Sequence, residues 1–319
     1  MWISNLFAMR ILLQFPEGLK QDALRYIEKY ENEGHEVIIS GEPTYGACDI
    51  PPLEKAKLLR CDKIVHFGHT KFMNIADINV EYAVVPADIP IEGVLKAAVE
   101  EIKKHKEHKK IGLITNASHL HQVEQIKTAL SNAGFECITA KGSARCDNEC
   151  QILGCDVTAL NSIRKNVDCV VYFGAGQFHA FAPGAMEKSE LPPILWVDPY
   201  SHEIKWINDE LKRIQKIRQA AIARASNACV FGILVSTKAG QYALDSAEII
   251  KAKIENSTNK NNAKKRKAVI IVSDTFDFTA LNNFTGIECW VNTACPRIVD
   301  DQNKLRAPII NASDVEVIL

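Results

Sequence analysis

Two stretches of the chain, one hundred positions apart, repeat a single pattern. Ile11 to Gly41 reads ILLQFPEGLKQDALRYIEKYENEGHEVIISG, and Ile111 to Gly142 reads IGLITNASHLHQVEQIKTALSNAGFECITAKG, so that Gly34 falls on Gly134 and Glu36 on Glu136. Each stretch is a short apolar strand, a loop, an amphipathic helix closed by glycine and a second strand, which is the βαβ pattern of a parallel sheet. The correspondence continues downstream. Gly46-Ala47-Cys48-Asp49 precedes the strand IVHFGH, and Gly154-Cys155-Asp156 precedes VVYFGAGQFH at nearly the same distance. Fourth strands follow at Tyr82 to Pro86 and Ile194 to Pro199.

A third, less regular copy offers strands near Cys229 to Val235, Ala268 to Ser273, Glu288 to Asn292 and Pro308 to Asn311, with a helix from about Gln241 to Glu255. Linking helices at about Ile91 to His108 and His202 to Ala225 divide the chain into thirds. The expected fold is α/β: three similar domains, 1–106, 107–226 and 227–319, each a four-stranded parallel sheet with flanking helices. The three are expected to stand in a pseudo-threefold arrangement around a shared centre.

Ten cysteines are many for a reducing compartment, where metal binding or thiol chemistry outranks disulfides. There is no CxxC pair, which removes zinc knuckles and thioredoxin-type motifs. Cys61, Cys137, Cys169, Cys229 and Cys289 sit in strand or helix-end contexts and read as small buried hydrophobes. Cys48, Cys155 and Cys295 sit in loops after strands, where a thiolate can reach a metal. In open parallel sheets, those loops form the binding crevice. Three such thiolates meeting at one point would hold a 4Fe-4S cluster and leave one iron without a protein ligand. Cys146 and Cys150 compete for the middle position, but the glycine-cysteine-aspartate phase of the repeat selects Cys155. Cys295 is out of phase, following the third strand of its unit where the other two precede it.

His66 and His69 flank a strand end where a ligand or an acid-base group belongs, or where each simply bonds a loop carbonyl. Gly18 lies in the first strand-to-helix turn, a place to hold a carboxylate. Lys238-Ala239-Gly240-Gln241 occupies the corresponding turn of the third unit. Arg297, two residues after Cys295, is placed either to pair with a carboxylate near the cluster or to bridge domains. Neither GxxxxGK[ST] nor GxGxxG occurs, which disfavours nucleotides bound in the usual way.

With 38 basic against 39 acidic residues, nothing gathers polyanions, and nucleic acid is not the expected partner. The run Lys260 to Lys267 (KNNAKKRK) reads as a solvated loop. The opening MWISNLFAM lacks a basic n-region, and no apolar run reaches the roughly 18 residues of a membrane span. The expected location is the cytoplasm, with no membrane contact.

Together, QFPEGL (Gln14–Leu19), TYGACD (Thr44–Asp49), VHFGH (Val65–His69), QILGCD (Gln151–Asp156), TKAGQ (Thr237–Gln241) and TACPR (Thr293–Arg297) resemble the archaeal diphthamide-synthesis family of 2-(3-amino-3-carboxypropyl)histidine synthases across nearly the whole chain. The family's cluster ligands fall on Cys48, Cys155 and Cys295. The resemblance implies a non-standard radical reaction of S-adenosylmethionine, without the CxxxCxxC signature that Cys146 and Cys150 half mimic. In the family the bond from sulfur to the methionine γ-carbon breaks, methylthioadenosine is released, and the 3-amino-3-carboxypropyl fragment joins imidazole C2 of one histidine in translation elongation factor 2. It also implies a homodimer and an electron donor. Arg297 and the backbone at Gly240 and Gln241 are the expected partners of the methionine carboxylate. A quinolinate-synthase-like 4Fe-4S dehydratase of a small dicarboxylic substrate shares this architecture, and a different kind of reading is a non-catalytic small-ligand-binding protein whose three loops hold the ligand and whose cysteines are buried core.

Overall fold

The computed structural model describes residues 8–50, 53–75, 78–146, 148–259, 261 and 263–319. Most of the apolar opening segment, and Lys260 and Asn262 of the basic run, lie outside the described residues. Three sheets follow one another along the chain. The first contains β1 (Arg10–Gln14), β2 (Glu36–Ile39), β3 (Lys63–Phe67) and β4 (Asn79–Ala83), all parallel in the order β2-β1-β3-β4. The second contains β5 (Lys110–Thr115), β6 (Glu136–Ile138), β7 (Cys169–Phe173), β8 (Ile194–Val197) and β9 (Ile204–Trp206) in the order β6-β5-β7-β8-β9. The third contains β10 (Val230–Ser236), β11 (Lys267–Ser273), β12 (Cys289–Asn292) and β13 (Ile309–Asn311), parallel in the order β11-β10-β12-β13.

The middle sheet departs from the four parallel strands expected. β9 pairs antiparallel with β8, and the helix read from His202 begins only at Asn208. Ile204 and Trp206 alternate with Lys205 and pack on the core beneath the sheet, a period-2 pattern too short to stand out beside a long helix. Two short 3-10 segments, Glu17–Asp22 and Ala117–Gln122, precede the first helix of their units and were not legible as separate elements.

The repeat is kept down to single residues. Arg10 pairs with Glu36 across β1 and β2, and Lys110 stands opposite Glu136 across β5 and β6. The carboxylates of Asp62 and Asp168, just before β3 and β7, accept the backbone N–H of Arg10 and Lys110 at 2.7 Å in both units. Gly34 and Gly134 take φ of +87° and +89°, the left-handed turn that ends each helix and favours a residue without a Cβ.

Every sheet is buried on both faces, as parallel sheets require. In the first, Ile11, Leu13 and Phe67 face one core while Leu12 and Ile64 face the other. In the second, Ile111, Leu113 and Val171 oppose Ile114, Val170 and Tyr172. In the third, Phe231, Ile233 and Val291 oppose Leu234, Trp290 and Ile309. The sheets are joined by polar contacts between units. Gln151 Nε2 donates to Thr70 Oγ1 at 2.6 Å. Arg218, on the helix Asn208–Ala225, donates to both carboxylate oxygens of Asp314 and to the carbonyl of Ala185. Among the described residues no helix is long and apolar enough to cross a membrane.

Candidate metal centre

In each unit the chain leaves the first strand toward one side of the sheet and later crosses to the other, so a switch point opens between the first and third strands at their carboxyl ends. Polar residues are buried there: Gln14 and His66, Thr115, and Ser236 and Asn292. The three switch points face one cavity of about 440 Å³ lined by Cys48, Cys155 and Cys295. The structure therefore brings together the three thiols singled out in the sequence.

Cys48 and Cys155 enter from the loops after β2 and β6, whereas Cys295 enters after β12, the third strand of its unit. The phase difference has a simple counterpart. The loop after β11 also reaches the cavity, but it brings Asp274, Thr275 and Phe276 in place of a thiol. The slot that Cys295 fills, after the third strand, is taken by His69 in the first unit and by Phe178 and His179 in the second.

None of the ten cysteines forms a disulfide among the described residues. The thiols of Cys48, Cys155 and Cys295 are each pushed up to about 11, first by burial. Mutual repulsion adds to this: Cys295 acts on Cys48, Cys48 on Cys155 and Cys155 on Cys295, and Asp49 raises Cys48 further. Three thiolates held this close are costly unless a cationic centre shares their charge, which is what an iron-sulfur cluster provides. The donor set fits such a group.

Gly240 and Gln241 position the first of these cysteines. Gly240 N–H donates to the Cys48 carbonyl at 3.2 Å, and Gln241 Nε2 donates to Cys48 Sγ at 3.2 Å and to Asp49 Oδ1 at 3.3 Å. Lys238 pairs with the buried carboxylate of Asp49 at 2.7 Å. A Cβ on Gly240 would stand 2.5 to 2.7 Å from the Cα, Cβ and carbonyl oxygen of Cys48, closer than real Cβ contacts come. Gly240→Ala is therefore expected to lower stability by about 1–3 kcal/mol and to reduce bound iron. A denaturant titration with iron analysis checks this, and an unchanged midpoint with full iron would contradict it.

Arg297 is buried and joins the third unit to the second. Its Nε donates to Asp300 at 2.5 Å, its Nη1 donates to the carbonyls of Gly154, at 3.3 Å, and Phe178, and its guanidinium lies 4.3 Å from the Phe178 ring centroid. Nη2 has no hydrogen bond to any described residue, so part of the fork is uncommitted. Gly18 lies in the 3-10 segment after β1 and does not line the cavity. Cys146 and Cys150 are fully buried and outside the cavity lining, and Cys150 belongs to the core of the second sheet. Lys238 and His179 line the cavity, although sequence reasoning gave them no role. Both stand inside segments whose spacing had already attracted notice, and that was the available signal.

Burial, and next the proximity of His69, pushes His66 down to about 3. His179 is pushed down to about 4 by burial, then by His69 and Arg297. Both rings are neutral at pH 7.

A family model of diphthamide synthesis proteins matches residues 15–319. The chain is 32% identical over 318 residues to 2-(3-amino-3-carboxypropyl)histidine synthase from Pyrococcus horikoshii, covering 99% of this chain and 87% of that protein. It is 28% identical to subunit 1 of the enzyme of the same name from Schizosaccharomyces pombe, covering 92% of this chain and 66% of that subunit. The crystal structure of Dph2 from Pyrococcus horikoshii with a 4Fe-4S cluster superposes with a TM-score of 0.82 at 32% identity, covering 98% of this chain and 86% of that one.

Proposed function

The chain belongs to the diphthamide synthesis family, and from that premise we propose that Cys48, Cys155 and Cys295 hold its 4Fe-4S cluster and that its protein acceptor is translation elongation factor 2. It is a 2-(3-amino-3-carboxypropyl)histidine synthase and carries out the first step of diphthamide biosynthesis, moving the 3-amino-3-carboxypropyl group of S-adenosylmethionine to a histidine. The observation that supports the ligand assignment is the meeting of three free thiols, one from each sheet, in the wall of a single cavity. The family match removes the dehydratase and non-catalytic readings that the architecture alone left open.

When bound, a cluster with three protein thiolates presents one iron without a protein ligand and supplies the electron that breaks a carbon–sulfur bond. The chain's own groups orient and enclose. Gln241 donates to one ligand sulfur, and Lys238 holds Asp49 beneath the same loop. Phe72, Leu153, Phe276 and Phe278 give the cavity apolar walls that limit water around a reactive fragment. Arg297, with Nη2 uncommitted, is the group we assign to the methionine carboxylate. Arg297→Lys is expected to weaken S-adenosylmethionine binding roughly tenfold or more, since a point charge does not replace a planar fork. Affinity and methylthioadenosine yield, compared with iron per chain, test this. Both unchanged at full iron content would leave Arg297 as a staple between units only.

The same reading places the chain in the cytoplasm as a homodimer served by an external one-electron donor. The decisive assay is anaerobic. Reconstituted protein is reduced with dithionite and given S-adenosylmethionine and elongation factor 2. The expected products are methylthioadenosine and a 3-amino-3-carboxypropyl mass gain on one histidine of the factor. Methylthioadenosine without modification of the factor rejects the acceptor, and its absence rejects the chemistry.

A further inference from the structure

Four groups beside the cysteine site form a hydrogen-bonded chain that fixes where its protons sit. The backbone carbonyl of Asp49 can only accept, and Gln14 Nε2 donates to it at 2.5 Å. Gln14 therefore turns Oε1 toward His66 Nδ1, 2.8 Å away, and that nitrogen must carry the proton. His66 is fully buried and neutral at pH 7, so its Nε2 carries only a lone pair. That lone pair lies 2.8 Å from His69 Nδ1, which must then be the donor. In neutral His69 the remaining nitrogen, Nε2, is left unprotonated, and His69 lines the cavity beside the cysteines. Burial keeps the ring neutral, opposed by the Phe67 carbonyl and Asp49. The other imidazole on the cavity wall, His179, has no hydrogen bond among the described residues to select its tautomer.

The transfer reaction needs a proton acceptor. Its net balance breaks the carbon–sulfur bond of the sulfonium, leaving that pair on a neutral thioether. It replaces the acceptor imidazole's C2–H bond by a C2–C bond and releases the C2 hydrogen as a proton. An electron lent to open the bond is returned, so no net oxidant is consumed. We propose that His69 Nε2 is the base that accepts this C2 proton, held in the required tautomer by the Gln14–His66 relay. The proposal rests on the function proposed above.

Two measurements test it. The first uses 15N-histidine-labelled, iron-free wild-type chain, in which the His69 ring is expected to show a protonated Nδ1 and a bare Nε2. The reverse tautomer overturns the proposal. The second compares wild type, His69→Gln and His179→Gln after cluster reconstitution, scoring modified histidine formed per methylthioadenosine released. His69→Gln is expected to lower that ratio on the order of a hundredfold at undiminished iron content, with partial rescue by free imidazole. An unchanged ratio in His69→Gln, or a collapse in His179→Gln alone, overturns the assignment while leaving the parent function intact. Wild type that releases no methylthioadenosine overturns that function and this inference with it.

Discussion

Replacing Cys48, Cys155 or Cys295 by alanine, one at a time, is expected to strip most of the cluster iron and abolish transfer, while Cys61→Ala and Cys229→Ala retain both. The expectation follows from geometry: each of the three thiols is the sole cysteine that its unit brings to the cavity. Cys146 lies near enough to feel Cys155, but it is fully buried and outside the cavity lining. Cys146 and Cys150 supply the sharper control, because both lie in the middle unit and are fully buried. Burial, then Asp156 and Cys155, pushes Cys146 up to about 12, and burial, then Glu149, pushes Cys150 higher still. Alanine at either position is expected to cost about 1–3 kcal/mol of stability and leave iron bound. Iron lost from Cys146→Ala but kept by Cys155→Ala would show that the middle ligand had been misassigned.

The largest effect on stability is expected at Arg218→Met. Asp314 is fully buried, and Arg218 clasps it through Nε at 3.1 Å and Nη2 at 2.8 Å while Nη1 reaches the Ala185 carbonyl at 3.0 Å. Removing the guanidinium leaves the carboxylate with Lys188, a half-exposed lysine whose help is screened by solvent. Leaving a buried charge without its main partner costs about 3–5 kcal/mol. Urea unfolding of the two proteins measures the difference. The double variant Arg218→Met, Asp314→Leu should recover most of the loss, because it removes the stranded charge as well. A single-variant loss below about 1 kcal/mol would mean that the carboxylate finds water or another cation instead.

Much of this architecture was legible because parallel βαβ units leave strong local marks. Continuous apolar strands, glycine-closed helices and a fixed spacing exposed the repeat, and the repeat selected Cys155 over its two neighbours. Cys295 was harder to place, since its unit carries the thiol one loop later, and only context and family resemblance put it with the others. The fifth strand of the middle sheet escaped notice because three residues of alternation weigh little against the helix that follows. Contacts that hold the site together were also hidden. Nothing local in Gln151 or Gly240 announces a partner in another unit, and for Arg297 the sequence left a bridge between domains as one of two readings; such pairings exist only once the sheets are docked. The proton arrangement at His69 lay further out of reach, because it depends on a carbonyl, an amide and a second ring coming into line.

The contact between Gln241 and Cys48 spans 193 positions of sequence. A ribosome adding about 5–20 residues per second takes roughly 10–40 s to travel that distance. Throughout that interval the first thiol has emerged while the glycine and amide that will cradle it have yet to be made. Iron delivered early would meet a lone cysteine, and an oxidant arriving early would meet it unguarded. Loading must therefore come after synthesis, and the thiol must be kept reduced until the last third of the chain closes over it.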